Sequence, residues 1–178
     1  MVRCFIGILI PDEIKAKITK IQDEINGLRI KCKMVETENL HINLSFLGEV
    51  DENKIEEISK TLDEICVNFR KFEIEIRDLL IIPDMNYIRV LAIGISQDEH
   101  PLKKISQEIK QRIGGDVKPP HLTLCRVKQI ENKANTIEEL KRINTIVGNI
   151  SVNSIHIVKS TLGISGPIYQ SIHESKLL

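Results

Sequence analysis

Tryptophan is absent from this chain of 178 residues, and four phenylalanines and two tyrosines are its only aromatic side chains. A buried core must therefore be aliphatic and largely β-branched, with isoleucine foremost. Net charge is missing too, since 25 basic side chains balance 25 acidic ones. No global field attracts a polyanion, so a nucleic-acid site has to be a local cluster of Lys and Arg. Cysteine is scarce: Cys4, Cys32, Cys66 and Cys125 are far apart, with no Cys-x-x-Cys pair and no zinc-site spacing. They are expected as free thiols in a reducing cytoplasm. Long hydrophobic runs are lacking as well, because charges interrupt every apolar stretch before the roughly 18 to 20 residues of a membrane span. The short apolar opening from Cys4 to Ile10 reads as a buried strand and not as a leader, since Pro11-Asp12 leads at once into a helical pattern.

What is present is ordinary for a globular protein: 42% hydrophobic and 28% charged residues. This length buries a sizeable core without disulfides, and one domain over 1–178, built as two small lobes, is the expectation. Ile14, Ile18, Ile21 and Ile25 recur at helical spacing up to Gly27, and Ile55, Ile58, Leu62 and Ile65 repeat that pattern over 52–68. Leu102, Ile105, Ile109 and Ile113 mark a third helix opened by His100-Pro101 and stopped by Gly114-Gly115, and a fourth is expected over 134–145.

Strands are expected over 2–10, over 41–47 with Gly48 as the stop, and as an extended segment over 30–36. Residues 72–77 alternate with period two, and 87–95 complete an antiparallel pair across the turn 83–86. Further strands are expected at 121–127, 150–158 and 168–172. The order strand, helix, motif strand, helix occurs twice. That points to an α+β fold of two pseudo-symmetric lobes, each a largely antiparallel sheet with helices outside, flanking a central cleft.

The motif strands carry the chemistry. His41-Ile42-Asn43-Leu44 and His121-Leu122-Thr123-Leu124 each place an imidazole and a hydrogen-bonding side chain on one strand face, because residues i and i+2 point the same way. The alternating Ile and Leu point into the core. Two imidazoles suit phosphoryl transfer near neutral pH, since an ordinary pKa of about 6.5 lets one ring be neutral while the other is protonated. His100, His156 and His173 lack a matching partner motif, and His100 is read as capping a helix.

These motifs resemble the paired His-x-Thr/Ser-x motifs of the two-histidine phosphoesterase superfamily, and within it the RNA 2′,3′-cyclic phosphodiesterases, also called 2′-5′ RNA ligases. The resemblance extends over Arg3-Cys4-Phe5-Ile6-Gly7-Ile8, Val35 to His41 with Phe46 to Val50, Pro119-Pro120 with 121–128, and Lys159-Ser160-Thr161-Leu162 with Gly166-Pro167-Ile168-Tyr169. Two departures stand out: Asn43 replaces the usual Thr or Ser, and the strand near Ala92 lacks an aromatic residue often found there.

The resemblance implies opening of RNA 2′,3′-cyclic phosphate ends, tRNA halves among them, to a 2′-phosphate, with no metal or cofactor. It gives His41 as general acid and His121 as general base, roles the residues alone leave interchangeable. In reverse, a 5′-hydroxyl RNA end would be joined through a 2′-5′ linkage without ATP. Asn43 and Thr123 would hold the nonbridging phosphate oxygens. Arg126 matches the arginine after the second motif, but strict alternation turns it away from His121 unless a bulge intervenes. Phe5 and Arg3 share parity on the first strand and would line the cleft, one stacking a base and the other pairing a backbone phosphate. A monomer is expected.

Two other functions compete. An RNA-end-binding module weakened by Asn43 would bind RNA without turnover, unrestored by Asn43→Thr. Metal-dependent hydrolysis ranks lower, because neither motif has a nearby carboxylate or second histidine.

Overall fold

The first strand, β1 (Val2–Leu9), sends Cys4, Ile6 and Ile8 into the core and is hydrogen-bonded on both edges. Around it a computed structural model describes residues 1–96, 101–164 and 166–178. Pro11 opens α1 (Asp12–Asn26), whose Ile18, Ile21 and Ile25 form the buried stripe that the sequence period predicts. β2 (Ile30–Met34) and a 3₁₀ turn (Thr37–Asn39) lead into β3 (His41–Val50). The Asp51 carboxylate then accepts the backbone N–H of Asn53 and starts α2 (Glu52–Cys66).

β4 (Phe72–Pro83) and β5 (Ile88–Ile95) form the expected antiparallel pair. α3 (Pro101–Arg112) buries Leu102, Ile105 and Ile109. β6 (His121–Ile130), α4 (Lys133–Leu140), β7 (Gly148–Val152), β8 (Ser154–Leu162) and β9 (Pro167–Lys176) complete the chain.

One nine-stranded, curled antiparallel sheet runs in the order β7-β4-β5-β6-β3-β1-β8-β9, with β2 paired to β6. It divides at the β3–β6 seam, where the paired residues are Ile42 and Leu122. One lobe is β3-β1-β8-β9 and the other is β6-β5-β4-β7, so each draws strands from both halves of the chain. The helices cross as well: α1 packs on β2 and β6, whereas α3 packs on β3. The repeated order β1-α1-β3-α2 and β5-α3-β6-α4 is therefore interwoven, and neither lobe is a continuous half of the sequence.

Three local expectations need correction. Gly48 does not end β3: its φ of +71° takes up an irregularity in the β1–β3 register, and the strand continues to Val50. The single strand expected over 150–158 is two strands, because β7 pairs with β4 in one lobe and β8 with β1 in the other. α4 stops at Leu140; soon after, the Asn144 side chain accepts the N–H of Ile146, a local turn that competes with helix. The capping role read for His100 falls outside the described residues.

Candidate active site

Ile42 and Leu122 meet across the seam with no exposed surface, and alternation turns His41, Asn43, His121 and Thr123 to the opposite, concave face. All four are partly exposed. The two sequence motifs thus face one another on adjacent antiparallel strands.

Both motif strands are bulged at the last residue of the motif. Against β1, β3 pairs Asn43 with Gly7 and Ser45 with Ile6, leaving Leu44 as the extra residue. Against β5, β6 pairs Thr123 with Ala92 and Cys125 with Leu91, leaving Leu124 extra. Two successive residues are consequently buried in each strand, Leu44 with Ser45 and Leu124 with Cys125. The bulge in β6 returns Arg126 to the face that carries His121 and Thr123, which is the condition its assignment to the site required. By the same shift, β3 brings Phe46 onto that face, beside Phe5 of β1.

The two imidazoles are held alike. His41 Nδ1 lies 2.7 Å from the carbonyl oxygen of Asn39, and His121 Nδ1 lies 2.9 Å from that of Pro119. A carbonyl only accepts, so each Nδ1 carries a proton and each neutral ring keeps its lone pair on Nε2. Burial pushes the His41 pKa below its ordinary value; the Asn39 carbonyl opposes this, and the nearby charges of His121 and Arg126 push it lower still.

Aromatic packing fixes the His41 ring further. Phe5 sits 4.5 Å from it, centroid to centroid, and Tyr169 of β9 meets both rings edge-on at 5.3 and 5.1 Å. Phe5 is only 3% exposed, so its face is spent on His41 and not offered to a base. Gly7 makes room for this arrangement, since a Cβ there would lie 2.7 Å from the Ile42 carbonyl oxygen and 3.3 Å from the Phe5 ring. Arg3 is exposed at the rim, its guanidinium 5.2 Å from the centre of the Phe46 ring.

Tyr169, Phe46 and Asn39 were not singled out by the sequence. Burial raises the Tyr169 pKa while Arg126 opposes it, and the phenol remains a donor. The Asn39 amide donates to the Pro167 carbonyl at 2.8 Å, tying the turn before His41 to the start of β9. The Gly-Pro-Ile-Tyr segment was the one available signal for Tyr169. Phe46 needed the bulge to be known.

Among the described residues, no three His, Cys, Asp or Glu side chains are placed to hold a metal ion. His156 lies between the hydroxyls of Ser154 and Ser171, and His173 pairs with Asp63 at 2.9 Å, so neither belongs to the seam.

Comparison with known proteins fits this geometry. Residues 8–92 match the model of the LigT-like phosphoesterases. A Methanocaldococcus jannaschii protein named RNA 2′,3′-cyclic phosphodiesterase is 38% identical over 97% of this chain and 99% of its own length. An Aquifex aeolicus protein of the same name is 35% identical over 98% and 96%. The fold matches crystal structures of TT0787 of Thermus thermophilus, at a TM-score of 0.81 and 20% identity over 98% and 97% of the two chains, and of Escherichia coli LigT complexed with 3′-AMP, at 0.75 and 21% over 99% and 98%. The family match stops before β6, but the full-length relatives extend across the second motif, and on that evidence the chain belongs to the LigT-like phosphoesterase family.

Proposed function

We propose that this chain is an RNA 2′,3′-cyclic phosphodiesterase that opens cyclic phosphate ends by acid–base catalysis between His41 and His121. The matched carbonyl handles carry the reading: they leave two Nε2 atoms as the exchangeable proton sites on facing strands. His121 as base removes a proton from water as its oxygen bonds to phosphorus. His41 as acid protonates the departing 3′ oxygen as the P–O3′ bond breaks, leaving a 2′-phosphate and a 3′-hydroxyl.

Burial, with the Arg126 charge adding to it, disfavours the protonated His41 ring in the free protein, and an anionic phosphate bound at the seam acts in the opposite sense. Asn43 and Thr123 donate to the nonbridging oxygens, and Arg126 adds charge as the transition state forms. Arg3 at the rim takes a backbone phosphate of the RNA. With a 5′-hydroxyl RNA end in place of water, His121 takes the proton of that hydroxyl as its oxygen bonds to phosphorus, His41 protonates the departing 3′ oxygen as before, and a 2′-5′ linkage forms. Ends such as those of tRNA halves are suitable substrates, and the four free cysteines suit a reducing cytoplasm.

The test is incubation with an oligoribonucleotide ending in a 2′,3′-cyclic phosphate, with chelator present, followed by identification of the terminal phosphate. A 2′-phosphate is expected; a 3′-phosphate contradicts the assigned regiochemistry. One observation favours a second reading. Asn43 is longer and planar beside the Thr or Ser of the motif it resembles, as expected of an RNA-end-binding module with weakened chemistry. Salt-sensitive binding without turnover, unrestored by Asn43→Thr, would select that reading.

A further inference from the structure

A cavity of about 260 Å³ lies between α3 and the segment 117–120, which leads into His121. Its character differs from that of the histidine face. Lys103, Gln107 and Lys110 stand on it at i, i+4 and i+7 of α3, a helical stripe, and Lys118 closes the ring from the opposite wall. All three lysines are exposed. Lys118 pairs with Asp116 at 3.1 Å, and none of the ion pairs among the described residues engages Lys103 or Lys110. Beneath this rim the walls are apolar, from Leu102 to Pro119 and Pro120.

In the wall sits Ser106, 6% exposed, whose hydroxyl has no hydrogen-bond partner. A buried hydroxyl left unpaired costs free energy, so this part of the wall is held by packing alone. Pro119 belongs to both places, because its ring lines the cavity and its carbonyl holds His121. Two extended residues span about 7 Å, so Pro119 and His121 are no farther apart than neighbouring nucleotides of an RNA strand.

We propose that this cavity is a subsite for an RNA nucleotide adjoining the reacting phosphate. Lys103, Lys110 and Lys118 take its backbone phosphate, and the exposed Pro119 receives the flat face of its base. The proposal rests on the phosphodiesterase reading. It also answers the neutral net charge of the chain, since it supplies the local basic cluster that an RNA ligand needs.

The test compares a tetranucleotide RNA with a mononucleotide, each ending in a 2′,3′-cyclic phosphate, in the native chain and in Lys103→Glu/Lys110→Glu. The charge reversal is expected to lower kcat/KM for the tetranucleotide about tenfold relative to the mononucleotide. The slope of log kcat/KM against log salt for the tetranucleotide should flatten by about 0.7 for each phosphate no longer neutralised. An equal fall on both substrates, or an unchanged ratio and slope, overturns the subsite.

A second readout is the Ser106 amide signal in NMR. It should shift on adding a tetranucleotide ending in a 2′-phosphate and stay in place with a nucleoside 2′-monophosphate; shifts with both or with neither overturn the proposal. If the native chain opens neither cyclic substrate, the phosphodiesterase reading fails instead, and the two failures are distinct.

Discussion

Arg126 shares a strand face with His121 although the two are five positions apart, because β6 carries an extra residue at Leu124. Strict alternation sends residues an odd number apart to opposite faces. The bulge therefore decides whether a fixed positive charge stands among the motif side chains or in solvent on the far side. Its effect reaches across the seam, where Arg126 helps hold the His41 pKa down.

The His41 titration tests that relationship directly. An NMR pH titration of the free protein should place the His41 pKa below the ordinary value of about 6.5. Arg126→Gln removes one of the charges disfavouring the imidazolium and should move it upward. Added inorganic phosphate should move it the same way, because an anion favours the protonated ring. A midpoint at or above 6.5 in the native, ligand-free protein would contradict the electrostatics derived from burial and its two cationic neighbours.

Loss of either motif imidazole should be severe. His41→Ala and His121→Ala are each expected to slow cyclic-phosphate opening by about 10²- to 10⁴-fold, the usual range for a general acid or base. Both rings act in one transition state, so the double variant should fall little beyond the worse single one. Single-turnover rates on an oligonucleotide with a cyclic phosphate end provide the measurement. Full activity in His121→Ala would refute the two-histidine mechanism.

Much of this site was legible in the sequence, and the reason is local. The period-two alternation that puts His41 beside Asn43 and His121 beside Thr123 needs no knowledge of the rest of the chain. The isoleucine stripes of α1, α2 and α3 are read in the same way. What escaped depends on partners distant in sequence. β7 and β8 look like one strand until β4 claims the first and β1 the second. Phe5 has the parity of a cleft residue, yet its burial is set by Tyr169, 164 positions later. Whether Arg126 faces the site turned on one unpaired leucine, and alternation could state that condition without resolving it.

Asn43 and Thr123 occupy equivalent places on the two strands, and their chemistry separates binding from catalysis. If both donate to nonbridging oxygens, Thr123→Val, which keeps the shape and removes the donor, should lower kcat by about 10²-fold. Asn43→Leu should do the same, whereas Asn43→Thr keeps a donor and should stay within about tenfold of the native rate. Steady-state kinetics on one cyclic-phosphate substrate decide it. Native kcat in Asn43→Leu would remove that side chain from the transition state.

Asn39 offers a test of positioning that does not touch the imidazole. Its carbonyl holds His41 at Nδ1, while its amide, nearly buried, donates to the Pro167 carbonyl at the start of β9. Asn39→Ala retains the backbone carbonyl but leaves Pro167 unpaired, at a cost of about 1–3 kcal/mol in unfolding free energy. Asn39→Asp separates charge from hydrogen bonding: a carboxylate cannot donate to a carbonyl, so stability should not return, and its negative charge should raise the His41 pKa. Both variants loosen the turn that aims the His41 ring, so kcat should fall by about tenfold with KM little changed. A loss confined to thermal stability, with kcat and the His41 titration both native, would reduce Asn39 to a structural tie between the 3₁₀ turn and β9.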